Sequence, residues 1–458
     1  MQKALLIKAA LVAALFMMLL IPLSMINGLV AERQGRQQEV VRDIAASSYG
    51  RQVLAGPIVV FPYVEEWEVT LTEEKKDKTI TRVEKRRAYR TASFFPASTG
   101  LAATSAVGTK SRGIFKARVF NWEAAAKGEF VFDGKFAFDH KHEGSRITVG
   151  KPYVSVVLGD PRGLASSTAF RWNGTALTLE RGTDLSGMEE GIHVRIPDFD
   201  PRKPARFEYA LDLGLRGTES FAVVPLSGST SVSLKSDWPH PSFGGQFLPR
   251  PDTTVGPGGF EAGWSVSGLA SAAQGQLAAA IDGGGSCKQA SCADRLEVRF
   301  IDPIDIYSLS DRALKYGFLF IGLSFGAFFA FEILKRLPIH PAQYFLVGLA
   351  LATFFLLLIG LSEHIEFWIA YALAAAACIL LQGFYLSAVL RSAGRGASFS
   401  AMLTALYGAL YGLLVSEDNS LLLGSVLVFA LVAAAMTITR KLDWYSVGRT
   451  KDPIPQPA

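Results

Sequence analysis

The sequence predicts an α+β membrane protein with six transmembrane helices, one N-terminal and five C-terminal, and a β-rich, sandwich-like domain inserted between the first two helices. Three observations carry this prediction. Long apolar segments are confined to the two ends of the 458-residue chain. The middle has apolar residues at alternate positions, the period of a strand with one buried face. Charged residues make up 19% of the chain, below the roughly 25% of soluble domains.

Six apolar segments have the length of a membrane crossing. The first covers residues 9–31, and the others cover residues 316–334, 343–361, 367–390, 397–415 and 420–439. At a rise of about 1.5 Å per residue, a helix of about 19 residues spans the hydrocarbon part of a bilayer. Residues 32–313 contain no segment of that length.

The charges beside these segments indicate their orientation. Basic residues precede the first segment and follow the second, fourth and sixth, whereas the other short loops are acidic or neutral. The positive-inside rule therefore places both termini in the cytoplasm and residues 32–313 on the opposite side of the membrane. A cleaved signal peptide is the alternative interpretation of the first segment. Because its apolar stretch exceeds the usual length of about 7–15 residues, we expect it to remain as an anchor.

Residues 32–313 are expected to form the outer, β-rich domain. Residues 32–48 should continue the first helix, and residues 67–83 should form an exposed hairpin with a charged tip. Residues 237–263 and 282–286 are rich in Gly and Pro and predict loops or linkers. Basic and acidic residues nearly balance in this domain, so no nucleic-acid partner is expected.

The cysteines allow two interpretations. Cys287 and Cys292 are close enough in sequence to close a small disulfide loop in an oxidising compartment, and two free thiols are the alternative. No second Cys or His pair accompanies them, so a zinc site is not expected. Cys378 lies in a membrane segment and is interpreted as a packing residue.

No recognisable motif predicts catalysis. The G-x-S-x-G elbow, the P-loop and the H-E-x-x-H motif are absent from the sequence. His140 and His142 are near neighbours, but no Cys or carboxylate cluster accompanies them at fixed spacing, which favours an exposed pair over a metal site. We therefore predict no catalytic residues, no metal and no cofactor.

Polar residues inside a membrane are costly and are therefore candidates for function. Glu332 lies one turn from the cytoplasmic end of its segment, where Lys335 or Arg336 can pair with it. Gln382 is the deep polar candidate. Glu363 and His364 lie at the outer mouth, where exposure to water explains them equally well.

Small residues at helical spacing predict close helix packing. Gly322 and Gly326 form one such pair in the second segment. A longer stripe in the fifth segment consists of Ala401, Ala405, Gly408 and Gly412. We expect packing within the bundle, with homodimerisation as the alternative.

Several motifs resemble those of the CreD family of bacterial inner-membrane proteins. They include DWPHPSF at residues 237–243, PIHPAQYFLVGLAL at residues 338–351 and LSEHI at residues 361–365. The resemblance covers nearly the whole chain and is weakest at residues 65–95. It implies a cell-envelope integrity protein associated with tolerance to colicins and with the response to β-lactam or envelope stress. It supplies no catalytic residues, although Glu332, His340, Glu363 and His364 match family motif positions.

Together these features predict a multi-pass protein of the bacterial inner membrane. Its parts are an N-terminal anchor (1–31), a periplasmic β-rich domain (32–313), a five-helix transmembrane region (314–445) and a cytoplasmic tail (446–458). We expect a non-enzymatic role in envelope integrity, with the lipid bilayer and periplasmic envelope proteins as partners. A transporter or lipid-handling protein is the main alternative, and a membrane-bound enzyme ranks third because no nucleophile, metal or cofactor constellation is visible.

Overall fold

The computed structural model describes residues 2–75, 78–281, 292–302, 305–335, 339–416 and 420–440. Their helices, named α1 to α7 in chain order, are Gln2–Ser47, Ala273–Ile281, Ile306–Lys335, Pro341–Ser362, Phe367–Val389, Ala393–Val415 and Ser420–Thr439. Two compact units are present. The helical unit comprises Met1–Gln38 and Ile304–Ala458, and the β unit comprises Glu39–Pro303.

The strands of the β unit are named β1 to β17 in chain order. They are Gln52–Lys75, Lys78–Phe94, Ser98–Arg112, Phe115–Asp133, Arg146–Val149, Tyr153–Leu158, Ala169–Trp172, Thr175–Leu177, Glu180–Arg181, Gly191–Arg195, Pro204–Thr218, Ser220–Val224, Ser229–Ser236, Pro241–Gly245, Thr254–Gly256, Gly259–Ser267 and Leu296–Phe300.

Long helices occur at all six positions where the sequence predicts a membrane crossing. Among the described residues, four stretches are long and apolar enough to cross a membrane: Ile7–Ser47, Pro341–Ser362, Phe367–Val389 and Ala393–Val415. Helices α3 and α7 are not among these four, so the predicted count of six crossings is not confirmed. The predicted continuation of the first helix through residues 32–48 is confirmed to Ser47, because α1 has no interruption there.

The β unit contains two sheets. The nine-stranded sheet has the order β14-β17-β12-β1-β6-β10-β9, with β2 and β5 also paired to β1. The eight-stranded sheet has the order β15-β16-β13-β3-β4-β11-β7-β8. Strands β1 and β2 form the predicted hairpin, which pairs from Val59 opposite Phe94 outward toward its tip.

The prediction of loops over residues 237–263 was wrong in part. Strands β14 and β15 and the first five residues of β16 occupy 13 of these 27 residues. Both β14 and β15 are the outermost strands of their sheets, and edge positions tolerate the Gly and Pro residues that suggested loops. Residues 282–286 lie outside the described residues.

The two sheets share a hydrophobic core. Trp122 of β4 and Phe221 of β12 come from different sheets, and their ring centroids are 4.0 Å apart. Both side chains belong to one buried cluster that includes residues of both sheets. These contacts establish a common core, whereas the predicted sandwich-like layout is not confirmed by them.

The nine-stranded sheet is buried on both faces near its centre. In β1, Val59 and Phe61 belong to the shared core, whereas Ile58 and Val60 belong to a second cluster that includes Leu277 of α2. Every residue of β6 is buried. Burial of both faces explains why the sequence of β6 is continuously apolar, apart from one serine, instead of alternating.

Aromatic side chains form the interior of the helical unit. The ring of Tyr407 on α6 lies 4.6 Å from that of Phe320 on α3 and 4.7 Å from that of Phe354 on α4. Closer to the start of α4, the ring of Tyr344 lies 4.7 Å from that of Phe328 on α3. These contacts hold α3, α4 and α6 together and position the polar groups described next.

Candidate functional site

One polar cluster joins α1, α3 and α4 near the start of α4. Glu332 of α3 is buried and forms an ion pair with the ammonium group of Lys8 from α1. Its second carboxylate oxygen, Oε2, accepts a hydrogen bond of 2.7 Å from the Tyr344 hydroxyl. Lys8 Nζ also donates to the carbonyl oxygen of Ile339 at 2.8 Å. The carboxylate is therefore paired and hydrogen-bonded, as a buried charge requires.

His340 organises the start of α4. Its ring nitrogen Nδ1 accepts a hydrogen bond of 3.2 Å from the backbone N–H of Ala342. Its own backbone N–H donates to the Gln343 side-chain oxygen at 3.1 Å, which completes a reciprocal capping box. The structure thus places His340 as a helix cap that fixes the start of α4, one turn before Tyr344.

A second polar cluster lies where α4 ends. The Tyr307 hydroxyl of α3 donates to Glu363 Oε1 at 3.1 Å, and Arg33 Nε of α1 lies 3.5 Å from the same oxygen. The side chain of Glu363 is 8% exposed, so the carboxylate is nearly buried. The neighbouring His364 is exposed, and its Nδ1 lies 3.2 Å from the carbonyl oxygen of Gly360.

The two clusters share one construction. In each, α1 supplies a cation. In the first cluster α3 supplies the glutamate and α4 the tyrosine, whereas in the second α3 supplies the tyrosine and the glutamate is the residue directly after α4. Lys8 and Arg33 are 25 residues apart, or roughly 38 Å along a helix, close to the full thickness of a bilayer with its headgroups. We name these groups the inner clamp (Lys8, Glu332, Tyr344) and the outer clamp (Arg33, Glu363, Tyr307).

The clamps bind helices together, and their chemistry is electrostatic. No group of three His, Cys, Asp or Glu residues able to hold a metal ion occurs among the described residues. Sequence spacing had suggested Lys335 or Arg336 as partners of Glu332. Lys8 was missed because it lies 324 residues away in the chain.

Gln382 occupies the interior of the helical unit. It is 2% exposed, and neither its amide oxygen nor its amide nitrogen has a hydrogen-bond partner among the described residues. The side chain of Tyr407 is buried as well. A buried amide without hydrogen bonds lowers the stability of the folded state, so Gln382 is a candidate for contact with a polar group from outside the described residues.

Replacing Gln382 with leucine should raise the free energy of unfolding by about 1–3 kcal/mol, because it removes an unsatisfied buried amide at similar volume. Thermal unfolding of the full chain in one detergent measures this change. The matched control Leu381→Ala alters an exposed neighbour and should change stability by less than about 0.5 kcal/mol. A loss of stability in Gln382→Leu would show that the amide has a partner in the protein as purified.

The small residues have two different environments. A Cβ atom added at Gly322 would lie 3.4 Å from the Phe16 ring of α1, an ordinary packing contact. At Gly326, Gly408 and Gly412 an added Cβ would meet nothing within 4 Å. Ala401, Ala405, Gly408 and Gly412 are all exposed. Among the described residues, therefore, the stripe on α6 faces away from the bundle, and the expectation of packing within it is corrected for that helix.

The cysteines can be placed in part. Cys292 is exposed, while Cys287 lies outside the described residues, so the predicted disulfide remains a prediction. Cys378 is buried in α5, with its sulfur 3.6 Å from the carbonyl oxygen of Ala350 on α4. This environment is that of a packing residue.

The β unit contains a buried carboxylate that sequence analysis missed. Glu65 of β1 is fully buried, and it accepts hydrogen bonds from Arg90 Nε at 2.9 Å, the Ser145 hydroxyl at 2.8 Å and the His142 backbone N–H at 2.9 Å. His140 reaches the same network through Ser145. The sequence of β1 gave no sign that Glu65 is buried, because sequence patterns assign charged residues to the exposed face of a strand.

The ionisation of Glu65 should make the loop of residues 139–145 sensitive to acid. Burial raises the pKa of Glu65, but the hydrogen bonds from Ser145, His142 and Arg90 outweigh it and lower the pKa from 4.5 to about 2. A lowered pKa stabilises the folded state fully above pH 4.5, and this contribution is lost as the pH falls toward 2. We expect the backbone amides of the loop to lose protection over that interval, measured as hydrogen exchange relative to the intrinsic rate at each pH.

Glu65→Gln is the matched variant, since it keeps the shape but removes the charge. Its loop amides should be less protected than those of the wild type at pH 7, without a further loss of protection from this group between pH 4.5 and 2. Equal exchange in both proteins at pH 7 would contradict the assigned role of Glu65.

Two comparisons with known proteins cover almost the whole chain. A family model described as "Inner membrane protein CreD" matches residues 4–445. The chain is also similar to the protein named "Inner membrane protein CreD" of Escherichia coli (strain K12). The two are 35% identical over 435 residues, which cover 95% of this chain and 92% of that protein.

Proposed function

The chain belongs to the CreD family of inner membrane proteins, and on this basis we propose that it maintains the integrity of the bacterial cell envelope without catalysing a reaction. The observation that carries the proposal is the family match over residues 4–445, which includes both the helices and the β unit. The proposed role includes tolerance to colicins and to β-lactam or envelope stress.

The proposed topology has six membrane crossings, formed by α1 and α3 to α7, with both termini in the cytoplasm. Residues 32–313 form a sandwich-like periplasmic domain in this arrangement. Support comes from the basic loops on one side of the helices and from the two sheets with their shared core. The proposed partners are the lipid bilayer and periplasmic envelope proteins.

Retention of α1 as an anchor is part of the proposal. Cleavage after the apolar stretch would separate Lys8 from the rest of the chain and leave Glu332 as a buried carboxylate without its cation. An uncompensated buried charge is strongly destabilising. The inner clamp therefore favours an anchor over a cleaved signal peptide.

The experiment is deletion of the gene followed by complementation with the full chain. We expect the deletion strain to show altered tolerance to β-lactams, detergents or colicins, and the full chain to restore the wild-type response. Unchanged cell shape, detergent tolerance, colicin sensitivity and β-lactam response after deletion would contradict the proposed role. Crosslinking in living cells followed by purification of the chain would then identify its periplasmic partners.

A second candidate function is transport or lipid handling, with the β unit as an accessory domain. The unpartnered amide of Gln382 in the helical unit favours it, because buried polar groups in membranes often mark the path of a polar substrate. Complementation with Gln382→Leu separates the two functions. A stable variant that restores tolerance supports the non-transport role, and a stable variant that fails supports the alternative.

A further inference from the structure

An apolar groove of about 260 Å³ lies between α1 and α3 in the helical unit. Its lining consists of two matched sets of apolar residues: Ala9, Val12, Ala13 and Phe16 on α1, and Gly322, Phe325, Gly326 and Phe329 on α3. An apolar cavity of about 150 Å³ can hold a benzene molecule, so this groove has room for a longer hydrocarbon segment.

The two glycines have separate roles in shaping the groove. At Gly322 an added Cβ would lie in ordinary contact with the Phe16 ring of α1, 3.4 Å away, so this position lies against α1. At Gly326 an added Cβ would meet nothing within 4 Å, so the missing side chain leaves open space. Gly326 therefore makes room in the groove instead of making a helix contact.

We propose that this groove binds an acyl chain of an anionic glycerophospholipid from the cytoplasmic leaflet. The inference rests on the proposed topology, which places α1 and α3 in the membrane. A groove open to the bilayer and lined by apolar side chains is filled by hydrocarbon, since water has no polar partners there.

Charge at one end of the groove selects an anionic headgroup. Lys8 directly precedes the lining residue Ala9, and its side chain remains 29% exposed beside Glu332. An ammonium group has three N–H donors, of which contacts to Glu332 and Ile339 account for two. In the sequence, Lys3 precedes Lys8, and Lys335 and Arg336 follow Glu332, so the residues that flank this end of both helices are mostly basic. Clusters of this kind attract anionic lipids of the cytoplasmic leaflet.

The test uses the full chain purified from membranes, with bound phosphatidylglycerol counted by native mass spectrometry. Gly326→Leu fills the groove, and Gly412→Leu is the matched control, since both glycines lie in long helices with nothing within 4 Å of an added Cβ. We expect Gly326→Leu to lower phosphatidylglycerol retention about tenfold and Gly412→Leu to leave it unchanged. Equal retention in the two variants would overturn the proposal.

A second arm tests the headgroup and the other occupants. Wild-type protein in nanodiscs should retain phosphatidylglycerol in preference to phosphatidylcholine with the same acyl chains, and equal retention would overturn the anionic assignment. A disulfide-linked dimer formed through Gly326→Cys would show a second copy of the chain in the groove and would also overturn it.

Failure of the topology is distinguishable from failure of the lipid site. If a water-soluble maleimide labels Gly326→Cys in intact membranes, α3 is not in the bilayer at this depth and the proposed topology fails. If the cysteine is protected but Gly326→Leu retains phosphatidylglycerol, the topology stands and the lipid site alone is wrong.

Discussion

Replacing Lys8 with methionine should destabilise the helical unit by about 3–5 kcal/mol, the cost of leaving a buried charge without its partner. Methionine keeps the length and apolar stem of lysine but removes the ammonium group. Glu332 would then keep its hydrogen bond from Tyr344 but lose its cation in a site that is 8% exposed. Unfolding of the full chain in detergent, induced by heat or by denaturant, measures this loss of stability.

Two further variants make the result specific to the inner clamp. Arg36→Met breaks an exposed ion pair with Glu32 on the same helix, and should change stability by less than about 0.5 kcal/mol. The exchanged pair Lys8→Glu with Glu332→Lys should recover a large part of the stability lost in Lys8→Met, because opposite charges again meet. Equal stability of Lys8→Met and Arg36→Met would contradict the inner clamp.

Replacing Trp122 with alanine should destabilise the β unit by about 3–5 kcal/mol, because it leaves a large cavity in the core shared by the two sheets. The indole is 1% exposed and packs against Phe221 of the other sheet. The loss is measurable in the full chain as faster hydrogen exchange in β4 and β12 together, which lie in different sheets.

The control for this prediction lies on the same strand. Val131 of β4 is 48% exposed, so Val131→Ala should change stability by less than about 0.5 kcal/mol. Trp122→Phe should cost less than Trp122→Ala, since the phenyl ring fills part of the space and the indole N–H has no hydrogen-bond partner among the described residues. Faster exchange in β4 alone would contradict a core shared by both sheets.

Hydrophobic pattern predicted much of the fold because it reports directly on burial. The six apolar segments all coincide with helices, and the charged hairpin of β1 and β2 appears where alternation indicated it. The pattern failed at β14 and β15, because edge strands tolerate Gly and Pro. It also failed on α6, where small-residue spacing does not reveal which way a stripe faces.

The candidate site was predictable only where its partners are close in sequence. Glu332 was selected because ionisable residues inside membrane segments are rare and costly, and Glu363 because it lies at the outer mouth and matches a family motif position. Their cations on α1 were not identified, since more than 320 residues of chain separate each pair and one sequence carries no record of such contacts. Glu65 was missed for the same reason, because Ser145 and His142 come from a distant loop.

The most direct test of the account determines on which side of the membrane a residue of the β unit and a loop residue of the helical unit are accessible. Lys203→Cys in the β unit and Arg391→Cys after α5 are both at exposed positions, in a chain whose own cysteines are replaced by serine or alanine. The account predicts that a membrane-impermeant maleimide labels position 203 in intact spheroplasts and position 391 only after permeabilisation. Labelling of position 391 from outside, or protection of position 203 until permeabilisation, would contradict it.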